Sequence, residues 1–550
     1  MRLSIFFLFS FLIFSCKNPK ADHSVSDNIA LEDAMVFSND SIKDFRAFKV
    51  LDSEYINVSE LWEPFENDLN DFTDETYNRL KPLILEANIP TLHEHISSGK
   101  LSYELLTKFY LYRIRKFDRE NSLSLNSVIS LNPNVIKEAI KADNTDFEVE
   151  PHAIYGMPIL LKDNINTEGM PTTAGAVALQ NNNTEDAFVV KQLKSKGALI
   201  LGKTNLSEWA YFFCGDCPSG YSAVGGQTLN PYGRRIMDTG GSSSGSGVAV
   251  AANFCVGAVG SETSGSILSP SSQNSVVGLK PTIGLLSRSG IVPISSTLDT
   301  PGPMTKNVTD NAILLDAMFG FDDSDSKSIA TKSGTGFYGN KASFKNDLTG
   351  KRFGAFKRLM EDSLYVRAIA ELKIKGAVII EVEEEKVDLP DFLRLLNLDM
   401  KTDLPEYLSD YASNEVAVAS VQDVIDFNKK DSLNRMPYGQ KLFEGIVADS
   451  SSHEAFQEIK NTLKANGRSF YDKPMKEHNL DGFLSINNYH AGFAAVAEYP
   501  AITVPMGYTE KGAPKGLTFI GKPLSENDLL GWAYIYEQVS KRRKAPKNYN

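Results

Sequence analysis

The chain has 550 residues, of which 42% are hydrophobic, and it carries a formal net charge of -12 at pH 7. That length and composition allow one large globular core or several average domains. The acidic balance offers no basic face for a polyanion, which excludes a nucleic-acid partner.

The N-terminus differs in kind from the rest. Met1 and Arg2 precede an apolar run from Leu3 to Phe14 that ends at Ser15 and Cys16. The run is shorter than the roughly 20 apolar residues of a membrane-spanning helix, and the polar segment Lys17 to Asp27 follows at once. This is the pattern of a signal peptide, so export is expected. Ile13-Phe14-Ser15-Cys16 resembles the bacterial lipobox, with Phe14 the departing member. The expectation is a lipoprotein of the cell envelope, held to the membrane by lipid on Cys16. An ordinary cleaved signal with an incidental cysteine is the alternative. Residues 17–60 are polar and weakly periodic, which predicts a tether, and residues 61–550 are read as one domain.

Thr73 to about Asp146 reads as helical, with Leu105, Leu106, Phe109, Tyr110 and Ile114 at three-to-four spacing. From Tyr155 to Met304 the short apolar runs Ile159 to Leu161, Ala198 to Leu201 and Cys255 to Val259 alternate with helix-like stretches and Gly/Ser turns. This alternation predicts an α/β core. Cys214-Gly215-Asp216-Cys217 has redox-motif spacing but no second ligand pair, so a metal site is not expected; the pair closes into a small disulfide or is inert. Residues 320–480 are more charged and read as a peripheral or substrate-facing insert. Together with the stretch from Trp209 to Cys217 they are expected to wall the substrate pocket. Strand-like Ala501 to Val504 and Leu517 to Ile520, then an amphipathic ending from Asn527 to Val539, return the chain to the core.

Two motifs match only by their letters. Gly334, Gly336 and Gly339 fit a dinucleotide fingerprint, but no buried strand precedes them. Gly241-Ser242-Ser243-Ser244-Gly245 fits the nucleophile elbow of an α/β-hydrolase esterase, which would use Ser243 with a histidine such as His490. That is the rival mechanism.

The densest signal lies between Gly240 and Pro270, where two Gly/Ser turns flank one small-residue helix and one apolar strand. Glycines let backbone approach a ligand closely, and successive turn N–H groups form an anion-binding nest suited to the oxyanion of acyl transfer.

Six elements in register resemble the amidase-signature hydrolases. They are Gly156-Met-Pro-Ile-Leu-Leu-Lys162-Asp163-Asn164, Gly202-Lys-Thr-Asn-Leu-Ser-Glu208, the Gly/Ser signature, Val277-Gly-Leu-Lys-Pro281, Asp299-Thr-Pro-Gly-Pro303 and Pro500-Ala-Ile-Thr-Val-Pro505. The resemblance implies an α/β amidase-signature fold, a large twisted mixed β-sheet covered by α-helices on both sides. It implies an amidase that hydrolyses linear carboxamide C–N bonds through an acyl-enzyme, with no metal or organic cofactor. Carried over residue by residue, the triad is Lys162, Ser242 and Ser266, with Ser266 attacking, Ser242 relaying the proton and Lys162 serving as the base. A cis peptide at Ser242 and an oxyanion hole of backbone N–H groups from Thr263, Ser264, Gly265 and Ser266 are also implied. Lysine can act as a base only when burial and neighbours keep it uncharged. Ser264 and Leu268 depart from the residues many members carry, and Leu268 argues against the amidotransferase subunit. Ser222 to Pro231 looks closest to the peptide amidase branch, which removes C-terminal amides. The partner is then a small-molecule or peptide amide. A non-catalytic envelope binding lipoprotein is the remaining alternative.

Overall fold

The computed structural model describes residues 48–119, 121–144, 148–330 and 347–550. The signal peptide, the lipobox, most of the expected tether and the Gly334–Gly339 pattern lie outside the described residues. The last part of the expected tether, 48–60, packs on the body. Phe48 and Leu51 lie against the main core, the Leu51 carbonyl accepts from Gln227 N at 2.8 Å, and Ser53 Oγ donates to the Val224 carbonyl. The apolar residues Phe48, Leu51, Tyr55 and Ile56 find partners there despite the polar composition around them.

The strands are β1 (Val128–Leu131), β2 (Pro158–Lys162), β3 (Leu199–Thr204), β4 (Tyr221–Ser222), β5 (Gly226–Gln227), β6 (Gly257–Glu262), β7 (Val277–Lys280), β8 (Thr300–Thr305), β9 (Arg352–Phe356), β10 (Val378–Val382), β11 (Gly482–Ile486), β12 (Ala501–Tyr508) and β13 (Pro514–Gly521). Eleven of them make one mixed sheet in the order β1-β3-β2-β6-β8-β7-β12-β13-β11-β9-β10, and β4 and β5 form a separate ribbon. β2 runs parallel to both β3 and β6, and β6 runs antiparallel to β8. The apolar runs of the sequence therefore fall on central strands, where both faces are covered and continuous hydrophobicity is the norm.

Two sequence readings change. The helical stretch from Thr73 contains helices Asp74–Ile84, Ile89–Ser97, α1 (Tyr103–Phe117) and Val135–Asp143, but Val128–Leu131 between them is a strand. It pairs antiparallel to β3 at the sheet edge through Val128, Ser130 and Leu131, with an irregularity at Ile129. Residues 320–480 are not wholly peripheral, because β9 and β10 extend the main sheet. Edge strand β10 is largely half-exposed or exposed, which hides it among charged neighbours in the sequence. The remainder of that stretch includes α4 (Phe392–Asp410) and helix His453–His478, which pack together on a second hydrophobic cluster separate from the main core.

The site is positioned by α2 (Ser244–Ala251), β6 and the short helix α3 (Leu268–Gln273). Every residue of α2 is buried, which its Ser, Gly, Ala and Val composition permits. A Cβ at Gly245 would stand 2.4 Å from the Asn205 carbonyl, so only glycine lets the helix start this close to the end of β3.

Candidate active site

Lys162 ends β2 and is fully buried. Its Nζ stands 2.8 Å from Ser242 Oγ, 2.9 Å from Ser261 Oγ and 3.0 Å from the Ser261 carbonyl. Burial is the largest influence on it and lowers its pKa to about 7 against the pull of Asp299 and Glu262. The three contacts match the capacity of a neutral amine. Two donated hydrogens can meet the Ser261 oxygens, and the lone pair can receive the Ser242 hydroxyl. The Gly241–Ser242 peptide bond is cis, as the resemblance implies. Ser207 N donates to the Ser242 carbonyl at 3.0 Å.

The register of the sheet explains the meeting. β2 and β6 are parallel with Leu161 opposite Val259, so the next positions bring the end of β2 beside Ser261. Ser261 also accepts from Asn164 Nδ2 at 2.9 Å. Sequence reasoning did not single out Ser261. The signal that could have found it is the parallel pairing of two apolar runs, a long-range fact that no local motif carries.

Asp163 anchors the same strand end. It pairs with Lys203 at 3.1 Å, both side chains being almost completely buried, and accepts from Thr173 N and Thr173 Oγ1. Burial pushes the Asp163 carboxyl up and the Lys203 amine down, each against the charge of the other.

The turn from Thr263 to Ser266 leaves β6 and enters α3. Glu262 closes it by accepting from the N–H groups of Ile267 and Leu268 at 2.7 and 3.0 Å. Thr263 Oγ1 donates to Asp299 Oδ1 at 2.5 Å. Gly265 sits at φ +90°, a conformation that favours glycine, and a Cβ there would meet Asn488 Nδ2 at 2.9 Å. The N–H groups of Ser264, Gly265 and Ser266 donate to no backbone carbonyl among the described residues. Ser266 is 9% exposed, and its carbonyl accepts from Ser243 N at 3.2 Å, which ties it to the residue after Ser242.

Ser243 and His490, the rival esterase pair, stand apart in their contacts. Ser243 is fully buried; its Oγ donates to the Ser261 carbonyl at 3.1 Å and accepts from Ser261 N at 3.2 Å, clasping β6. The ring nitrogens of His490 face Ser485 Oγ at 2.6 Å and Glu384 Oε1 at 3.1 Å. Cys214 and Cys217 are disulfide-bonded, and Trp209 and Phe213 pack on Phe443 at 5.2 Å between ring centroids. Those aromatics belong to the second core cluster, while Ala210 beside them lines a cavity.

That cavity, of about 240 Å³, is bounded by Asn164, Ser261 and Thr263 on one side and by the α4 residues Asp403, Glu406, Tyr407 and Asp410 on another. Of residues 320–480, expected to wall a substrate pocket, α4 lines this cavity. Among the described residues no group of His, Cys, Asp and Glu is arranged to hold a metal ion.

Known proteins share this sequence pattern and fold. The Amidase family model matches residues 106–436. A probable amidase of Arabidopsis thaliana is 36% identical over 484 residues, which is 84% of this chain and 92% of the relative. Among solved structures, an amidase family protein from Bacillus anthracis superposes with a TM-score of 0.85 at 38% identity, covering 90% of this chain and all of that one. The peptide amidase of Stenotrophomonas maltophilia superposes with a TM-score of 0.77 at 38% identity, covering 84% of this chain and 98% of that one. With its mixed eleven-stranded sheet and these matches, the chain belongs to the amidase family and is a hydrolase of amide bonds.

Proposed function

We propose that the protein cleaves linear carboxamides through Ser266, Ser242 and Lys162. Ser266 Oγ attacks the carbonyl carbon while its proton passes to Ser242 and the proton of Ser242 passes to Lys162. The tetrahedral oxyanion is held by the N–H groups of the turn from Thr263 to Ser266. On collapse the C–N bond breaks, and the proton returns from Lys162 through Ser242 to the leaving nitrogen. Water then releases the acid from the Ser266 ester by the same route.

The observation that carries this reading is the contact of the buried Lys162 Nζ with Ser242 Oγ at 2.8 Å. A lysine so placed is desolvated enough that its pKa falls to about 7, so a large fraction is uncharged at neutral pH. The test is exposure of the purified chain to a fluorophosphonate, with peptide mapping of the adduct. The expected adduct lies on Ser266 and disappears in Lys162→Ala. An adduct on Ser243 overturns the assignment.

Peptide C-terminal amides are the proposed substrate class. Support comes from the run Ser222 to Pro231 and from the likeness to the Stenotrophomonas peptide amidase. Ammonia release from peptide amides, compared with that from simple acyl amides, tests it. Export and lipid attachment at Cys16 remain part of the proposal and are supported by residues 1–16 alone. Among the described residues no helix is long and apolar enough to cross a membrane. Metabolic labelling with an alkynyl fatty acid is expected to mark the chain and to be lost in Cys16→Ser.

A further inference from the structure

The loop from Ser207 to Gly220 returns to the residue at which it starts. Ser207 is fully buried, and its Oγ accepts from Gly220 N at 2.9 Å, so the hydroxyl at the entrance closes the exit. The Ser207 carbonyl accepts from Tyr211 N at 3.0 Å, and the Ser207 N–H is the group that holds the Ser242 carbonyl. A Cβ added at Gly241 would stand 2.7 Å from Ser207 Oγ. The closure of the loop therefore sits directly against the peptide that leads into Ser242.

Inside the loop, Trp209, Ala210 and Tyr211 stand at φ of +51°, +53° and +76°. Three successive residues with side chains hold this left-handed conformation only where the surroundings fix it. Ala210, the middle one, lines the cavity beside Asn164 and Ser261. The far part of the loop is closed by the Cys214–Cys217 disulfide, and Tyr211 reaches across to donate its hydroxyl to the Cys217 carbonyl at 2.9 Å. The fixing is thus continuous: from the disulfide to Cys217, through Tyr211 and the exit at Gly220 to Ser207, and from Ser207 to Ser242.

A disulfide between residues three apart closes too short a loop to add much to global stability, so its effect is local. Cys214 and Cys217 are 2% and 4% exposed, beneath a Gly215–Asp216 turn that faces solvent.

We propose that the Cys214–Cys217 disulfide is a positioning element of the active site, acting through Ser207 on Ser242, and that its reduction reversibly lowers turnover. The inference rests on the amidase reading of Lys162, Ser242 and Ser266 and adds a redox control to it. A dithiol supplies the two electrons. Its thiolate attacks one cysteine sulfur to form a mixed disulfide, and its second thiol then displaces that cysteine, leaving two protein thiols and the oxidised cyclic reagent. The buried thiols pack as small apolar side chains, so the fold persists. The loop loses its cross-link, and Ser242 loses the fixed backing that holds its hydroxyl on Lys162 Nζ.

The test titrates the unmodified full chain with dithiothreitol under native conditions and counts thiols at Cys214 and Cys217 by alkylation and peptide mapping of aliquots. With both thiols free, kcat is expected to fall about tenfold or more, the scale of a misplaced catalytic group, and by more than KM changes. The pH–rate midpoint is expected to move with it, and reoxidation to restore both. Cys214→Ala/Cys217→Ala is expected to show the kcat of the reduced enzyme and to ignore the reagent. Ser207→Ala cuts the link, so its response to reduction is expected to be blunted. Hydrogen exchange over residues 205–221 is expected to quicken on reduction while the urea midpoint moves little. An unchanged kcat with both thiols free, or a disulfide that resists the reagent in the folded chain, overturns the inference even if the alanine variant fails to fold. A fluorophosphonate adduct on a serine other than Ser266, or no turnover of any amide, counts against the amidase reading instead. Exchange over residues 205–221 then decides the positioning role, which an unchanged rate on reduction overturns.

Discussion

Replacing Lys162 by methionine separates the cost of burying its charge from its contacts. In an unfolded chain the amine titrates near its ordinary value of 10.5, and in the folded protein it titrates near 7. Between those values the unfolded chain holds a proton that the folded chain has released, so wild-type stability rises with pH across that window. Below about pH 7 the burial costs wild type roughly 5 kcal/mol, and about 2 kcal/mol of that cost remains at pH 9. Lys162→Met has no such dependence. The variant also deprives Ser242 Oγ and the two Ser261 oxygens of a partner, a loss of roughly 1–3 kcal/mol per orphaned group that is similar at both pH values. The readout is therefore the change in the stability difference between pH 6 and pH 9. Wild type is expected to gain about 3 kcal/mol on the variant over that interval. Urea unfolding followed by tryptophan fluorescence at the two pH values measures it. An unchanged difference would refute the account of a desolvated, neutral lysine. The same account has wild-type kcat/KM rise with pH through about 7 as Lys162 loses its proton.

Three further substitutions address the supporting residues. Ser261→Ala removes one of the three contacts of Lys162 Nζ, and kcat/KM is expected to fall by about ten- to a hundredfold with a displaced pH–rate midpoint; a normal profile would rule out a role for Ser261 in tuning the lysine. Gly265→Ala forces a side chain into a φ of +90° against Asn488. It is expected to reduce kcat by about 100-fold, the scale of losing one oxyanion donor, as read in steady-state kinetics alongside a circular dichroism check of folding. Asp163→Asn leaves buried Lys203 without its counter-charge, and a destabilisation of about 3–5 kcal/mol is expected in chemical denaturation.

The proposed catalytic segment was legible because its motifs are local. Lys162 sits in Leu-Leu-Lys-Asp-Asn, and Ser242 and Ser266 sit in Gly/Ser turns whose glycines answer to close backbone approach. The alternating apolar runs gave β2, β3 and β6 for the same reason, since a central strand is apolar on both faces. What escaped depends on pairing between distant segments. Val128–Leu131 is too short to declare itself without β3 beside it, and β10 is an edge strand whose exposed face carries Glu381. Ser261 gains its role only once β2 and β6 are set in parallel register. The cavity between α4 on one side and Asn164 and Thr263 on the other likewise joins segments far apart in the sequence.

The division between the two hydrophobic clusters bears on how such an enzyme changes over generations. Lys162 and Ser261 stand on β2 and β6 of the main sheet, whereas α4 contributes its own Leu395, Leu398, Met400 and Leu404 to the second cluster. Under the proposed function, mutations on the cavity face of α4 change substrate preference while the strands that carry Lys162 and Ser261 stay in place. Such a lineage can drift across amide substrates without passing through inactive ancestors, because the parts that choose and the parts that cut are fastened to different foundations.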